Sequence, residues 1–165
     1  LNPFIDFFYF DVLSSIKEFR IGIEAIKSLN KPYLIGAHIS EGTKLPSNDS
    51  ISDIVNKIEH QNLLGLILSC VSPENYQKNL DEIKSLGVPF GFKLNAFKTT
   101  ISKNGYIAQN AKSNGNPNQY LGQRKDLTPE NLAIIVKKFK DSGATILGGC
   151  CETKPEHIKE MAKLK

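Results

Sequence analysis

The sequence predicts an α/β domain built on a parallel sheet, and three observations carry that prediction. Five short apolar runs bounded by turn residues recur along the 165 residues. Between them lie segments whose apolar residues repeat at helical spacing. Several of these segments open on an N-cap hydroxyl or close on a glycine, which marks where each unit ends. Strand, loop and helix thus repeat five times. Such alternation implies right-handed crossovers and leaves two architectures, an open doubly wound sheet or a (β/α)8 barrel. Five units would complete the first but form only part of the second.

Taken in order, the first run is FIDFFYFDV from Phe4, with Asp11 near its end, and Ile16, Phe19, Ile23 and Ile26 mark the helix after it. PYLIGAHI from Pro32 ends near His38 and is followed by Ile51, Ile54, Val55 and Ile58. LGLILSCV from Leu64 carries Cys70 at its end; SPEN at Ser72 then caps a helix marked by Tyr76, Leu80, Ile83 and Leu86, which Gly87 stops. PFGFKLNAF from Pro89 brings Asn95 to its end. The Asn- and Gly-rich stretch 98–126 follows, too long for a simple connection and read here as a loop over the functional face. TPEN at Thr128 opens the helix of Leu132, Ile135, Val136 and Phe139, stopped by Gly143. ATILGGC from Ala144 ends in Cys150 and Cys151, before a last helix marked by Ile158, Met161, Ala162 and Leu164. The runs are nearly continuous in hydrophobicity, as expected of strands covered on both faces.

Composition narrows the function. With 40% hydrophobic and 23% charged residues the chain reads as soluble and globular, with no apolar run near the ~18 residues of a membrane helix and no secretory signal, so a cytoplasmic location is expected. The net charge of +4 comes from lysines scattered along helical faces, without the basic, aromatic-interleaved stripe of a nucleic-acid binder. The chain opens at Leu1 almost directly on a strand, which reads as a piece that starts inside a domain. Three cysteines, an odd number with no C-x-x-C, point away from a disulfide framework and toward free thiols or metal ligands.

In either architecture reactive residues collect at the C-terminal ends of the strands. Those ends carry Asp11, His38, Cys70, Asn95, Cys150 and Cys151. Three thiolates can hold zinc and leave its fourth tetrahedral position open, and Gly148 and Gly149 would let the backbone turn tightly enough for both vicinal thiols to reach one ion. Two readings compete: core packing, for Cys70 above all, and a backbone phosphate cradle at Gly148–Gly149 that gives the thiols no task. Of the histidines, His38 is read as pocket-lining or simply hydrogen-bonded, His60 as solvated and His157 as structural or surface. Tyr106 and Tyr120 lie in the long loop, within reach of a substrate.

ILGGCCETKPEHIKEM, from Ile146, resembles the C-terminal signature of the homocysteine S-methyltransferases: Gly-Gly-Cys-Cys, a polar loop, then Pro-x-His-Ile opening the last helix. Upstream, ILSCVSPENY resembles that family's other zinc segment, with Cys70 on its cysteine, and the likeness spans the whole chain. It implies a (β/α)8 barrel with zinc on Cys70, Cys150 and Cys151, homocysteine sulfur at the open position, and methyl transfer from a cationic or cofactor donor to give methionine. Asp11 stands where the family carries a glutamate for the homocysteine amino group. Asn95 keeps the asparagine of a substrate-site turn, with Phe97 in place of its glycine. Residues 1–165 would then be the C-terminal part of one homocysteine-binding barrel, from strand four to helix eight. Five strands alone would leave two hydrophobic edges that invite another chain, a homo-oligomer included. A half-barrel that binds zinc or a partner chain without turnover is the alternative reading.

Overall fold

The structure, a computed structural model, describes residues 4–100 and 121–164. Its strands are β1 (Phe8–Leu13), β2 (Tyr33–Ala37), β3 (Leu63–Val71), β4 (Phe90–Leu94) and β5 (Ile146–Gly149). The helices are α1 (Ile16–Ile26), α2 (Ile51–Lys57), α3 (Pro73–Ser85), α4 (Pro129–Asp141) and α5 (Pro155–Ala162). All four strand pairings are parallel, in the order β1-β2-β3-β4-β5. Strand order follows chain order without the reversal that defines a doubly wound sheet, and right-handed crossovers in that order put the helices on one face. The arrangement is compatible with a segment of a (β/α)8 barrel.

Local signals act as the residue types require. Ser72 and Thr128 accept the backbone N–H groups of Asn75 and Asn131 at 3.2 and 3.3 Å, with proline at the first helical position in both. Ser50 and Asp53 form a reciprocal capping box at the start of α2. Gly87 (φ 69°) and Gly143 (φ 109°) take the left-handed conformation that ends α3 and α4.

Strand alternation then sorts the sheet into two faces. One register row, Phe10–Ile35–Leu66–Phe90, joins the core under the helices, where Tyr76, Phe92 and Phe139 pack edge to face with centroids 4.7 to 5.6 Å apart. The rows between, Gly36–Ile67–Gly91–Ile146 and Ser69–Lys93–Gly148, belong to the opposite face. Gly91 is there for close approach: a methyl group on it would lie 2.6 Å from the Ile146 carbonyl carbon.

Three expectations are corrected. The first strand starts at Phe8; Phe4 (87% exposed) and Phe7 stand outside the sheet. Neither β1 nor β5 is covered on both faces: every residue of the two strands is half-buried or exposed. In α5 the buried pair is His157 and Met161, leaving Ile158 exposed.

Candidate functional site

Cys70 is the extra residue of a bulge: Ser69 pairs with Lys93 and Val71 with Leu94, and Cys70 between them has φ 54°. A bulge re-aims the side chain out of strand alternation, and a left-handed non-glycine residue costs about 1–3 kcal/mol unless its surroundings hold it. Asn95 does the holding. Fully buried, it donates through Nδ2 to the Cys70 carbonyl at 2.6 Å and accepts the Phe97 N–H at 3.1 Å through Oδ1.

Cys150 and Cys151 follow β5 directly. Cys150 N–H donates to Leu94 O at 2.7 Å, and Cys151 O accepts from Ala96 N–H at 3.0 Å, which ties the pair to the end of β4. Thr153 then donates to Cys150 O through both its backbone N–H (3.1 Å) and its hydroxyl (2.5 Å). The tight turn expected of Gly148 and Gly149 falls elsewhere: both lie in or at the end of β5, and the left-handed residue is Glu152, φ 63°. The glycines serve closeness instead. A methyl on Gly149 would overlap Thr153, and one on Gly148 would sit 3.3 Å from Lys93 Cγ. The N–H groups of Cys150, Thr153 and Lys154 all have internal acceptors, so the phosphate cradle has few donors left.

The three sulfur atoms lie within 4.8 Å of one another, Cys70 Sγ 3.7 Å and Cys150 Sγ 3.9 Å from Cys151 Sγ. Metal–sulfur bonds of about 2.3 Å at tetrahedral angles put sulfurs about 3.8 Å apart. Two edges of the sulfur triangle therefore match a coordination tetrahedron, and the third is within 4.8 Å. The neighbouring Cys70 thiol lowers Cys150 against the effect of burial, helped by the Cys151 backbone and the charge of Lys93. The nearby Cys150, and then burial, push Cys70 upward, and burial followed by the charge on Cys150 does so for Cys151. The three thiols therefore titrate together, not independently.

Asp11 shares this side of the molecule. It forms an ion pair with Lys93, whose ammonium also lies 5.3 Å from the centre of the Tyr9 ring, while Tyr9 and Ser69 hydroxyls bond at 2.7 Å. Burial pushes Asp11 up, but hydrogen bonds from Lys93, Tyr9 and Ser69 prevail and hold it below the usual carboxylate range. Burial and then Asp11 push Tyr9 well up.

The sequence reading of the site missed Lys93, Tyr9 and Ser69. Lys93 left a signal: a lysine inside an otherwise apolar run, where a charge needs a partner.

His38 has a buried Nδ1 with no hydrogen-bond partner among the described residues. Exposed His60 bonds Val55 O at 2.6 Å, closing the end of α2. His157 is structural: Nδ1 accepts Lys154 N–H and Nε2 donates to Leu127 O, each at 3.0 Å. Tyr106, Tyr120 and the middle of the long loop lie outside the described residues. The loop's described base is pinned by Lys98 N–H to Gly122 O (2.8 Å) and by Arg124, which reaches Glu74 and Asp126.

The family model described as homocysteine S-methyltransferase matches residues 1–164. The chain belongs to the homocysteine S-methyltransferase family. It is 26% identical over 174 residues to homocysteine S-methyltransferase 1 of Saccharomyces cerevisiae, an alignment covering 98% of this chain and 48% of that protein. With homocysteine S-methyltransferase YbgG of Bacillus subtilis the identity is 28% over 127 residues, 77% of this chain and 34% of the other. A 43-residue stretch, 26% of the chain, is 40% identical to 13% of the selenocysteine methyltransferase of Astragalus bisulcatus. The chain thus spans about half the length of the yeast relative. Among the described residues no helix is long and apolar enough to cross a membrane.

Proposed function

We propose that this chain carries the metal-binding part of a zinc-dependent homocysteine S-methyltransferase, with Cys70, Cys150 and Cys151 as the zinc ligands and methionine as the product. The sulfur triangle, with two edges at the spacing of a thiolate tetrahedron and the third within 4.8 Å, is the observation that carries the reading. Zinc on three thiolates with its fourth position open would supply a low thiol pKa to the substrate, keeping it nucleophilic at neutral pH.

The chain's own residues supply position. Asn95 acts on substrate through Cys70, whose turn it holds, and Asp11 offers a carboxylate to the α-amino group. Transfer of a methyl group from a sulfonium, ammonium or cofactor donor to sulfur is an in-line displacement. It needs alignment and no proton transfer at the methyl centre, so none of the residues near the thiols is given an acid–base role. The five strands are taken as strands four to eight of a (β/α)8 barrel, and residues 1–165 as its C-terminal part. A cytoplasmic location goes with this reading.

A half-barrel that binds zinc or another chain without turnover is favoured by one observation: β1 and β5 each have an unpaired edge among the described strands. Zinc-loaded protein carrying the whole barrel, incubated with homocysteine and, separately, S-methylmethionine, S-adenosylmethionine, betaine or a methylated folate, separates the two. Methionine from one donor, lost in Cys151→Ser, is the expected result; stoichiometric zinc without methionine from any of them supports the binding reading.

A further inference from the structure

Lys93 sits inside an apolar strand, on the sheet face away from the helices, with Ser69 and Gly148 as its register partners. Its stem passes over Gly148, and its ammonium crosses β3 and β2 to reach Asp11 on β1. The bare backbone of Gly36 makes room beneath: a methyl there would come 2.6 Å from the Tyr9 hydroxyl and overlap that of Ser69. Both charged side chains stay reachable from solvent, Lys93 at 23% and Asp11 at 36% exposure. The register partners of Lys93 adjoin the thiols: Ser69 is next to Cys70 in sequence, and Gly148 is two residues before Cys150.

A part-exposed ion pair contributes little to stability, and ordering two side chains to form it costs entropy. As a brace the pair is therefore poor. Its two charges do complement a zwitterion, and they border the thiols that would receive the substrate's sulfur. We propose that the Asp11–Lys93 pair is a clamp for a free α-amino acid: it opens on binding, Lys93 taking the α-carboxylate as Asp11 takes the α-ammonium. One internal ion pair is exchanged for two with the ligand. The inference rests on the homocysteine reading and adds to it the residue that selects an unblocked carboxylate; thiols that lack this group, or carry it as an amide, are discriminated against.

The test is titration calorimetry of the zinc-loaded protein with three thiols: homocysteine, 3-aminopropanethiol, which lacks the carboxylate, and 4-mercaptobutanoate, which lacks the amine. The wild type should prefer homocysteine to 3-aminopropanethiol by about tenfold or more, the scale of one charge-assisted hydrogen bond. Lys93→Met should abolish that preference by weakening the two thiols that carry a carboxylate, homocysteine and 4-mercaptobutanoate, while 3-aminopropanethiol, whose amine still meets Asp11, is not weakened. Lys93→Arg should restore it. Equal wild-type affinity for homocysteine and 3-aminopropanethiol, a comparison that needs no variant to fold, overturns the clamp while leaving the homocysteine reading in place. So does an equal loss for all three thiols in Lys93→Met, which makes Lys93 a brace. A wild type that binds none of the three overturns the homocysteine reading and the clamp with it.

Discussion

Replacing Asn95 by alanine should disable the metal centre without touching a sulfur. The amide makes two buried hydrogen bonds, to Cys70 O at 2.6 Å and from Phe97 N–H at 3.1 Å. Leaving a buried partner unmet costs about 1–3 kcal/mol each, so a stability loss of about 2–6 kcal/mol is expected. The effect on metal follows from strain. Cys70 is held at φ 54°, a conformation about 1–3 kcal/mol above the usual wells. Without its anchor Cys70 relaxes, and binding must restore the strained turn, which at about 1.4 kcal/mol per decade lowers zinc affinity about ten- to a hundredfold. Competition against a chelator measures the second quantity and urea denaturation the first. Asn95→Asp, which keeps the acceptor for Phe97 but loses the donor to Cys70, should recover part of the stability and little of the affinity. An alanine variant that binds zinc as tightly as the wild type would refute the argument that Asn95 holds the ligand turn.

Three further outcomes follow from the geometry. Gly91→Ala would drive a methyl into the Ile146 carbonyl and should cost about 3 kcal/mol or more; a loss under about 1 kcal/mol in urea denaturation contradicts the close β4–β5 approach. His157→Ala leaves Leu127 O and Lys154 N–H unpaired and should cost about 1–3 kcal/mol with zinc content unchanged, read by thermal melting and elemental analysis; loss of zinc would make the residue more than structural. Hydrogen bonds from Lys57 and then Ser50 hold Asp53 down to about 2 from its usual 3.8. A folded-state value below the unfolded one gives stability that is present above pH 3.8 and lost as pH falls through about 2. Asp53→Asn should therefore show a smaller drop in Tm between pH 5 and pH 2 than the wild type, and an equal drop contradicts the assignment.

Much of this was legible because local signals and tertiary need coincide. Ser72-Pro73 and Thr128-Pro129 announce helix starts through groups that act within three residues, and Phe19, Ile54, Ile83 and Val136 mark the faces the sheet then buries. Strand order was not legible, since it depends on which runs pair; only the structure distinguishes the consecutive order from a doubly wound one. The three cysteines could be named because thiols at strand ends converge in any parallel sheet. The means of convergence could not. Cys70 reaches its neighbours through a bulge at positive φ, and the vicinal pair through a turn at Glu152 in place of the two glycines. The polar set of Tyr9, Asp11, Ser69 and Lys93 spans three strands, so no spacing along the chain could show it, although a lysine amid apolar residues hinted at it.

Metal content bears most directly on the central claim. Elemental analysis of the reduced protein should give about one zinc per chain, as one tetrahedral three-thiolate site requires, and Cys150→Ser, which removes one corner of the sulfur triangle, should lose it. A folded, reduced wild type without zinc, or a Cys150→Ser variant that retains it in full, would contradict the account.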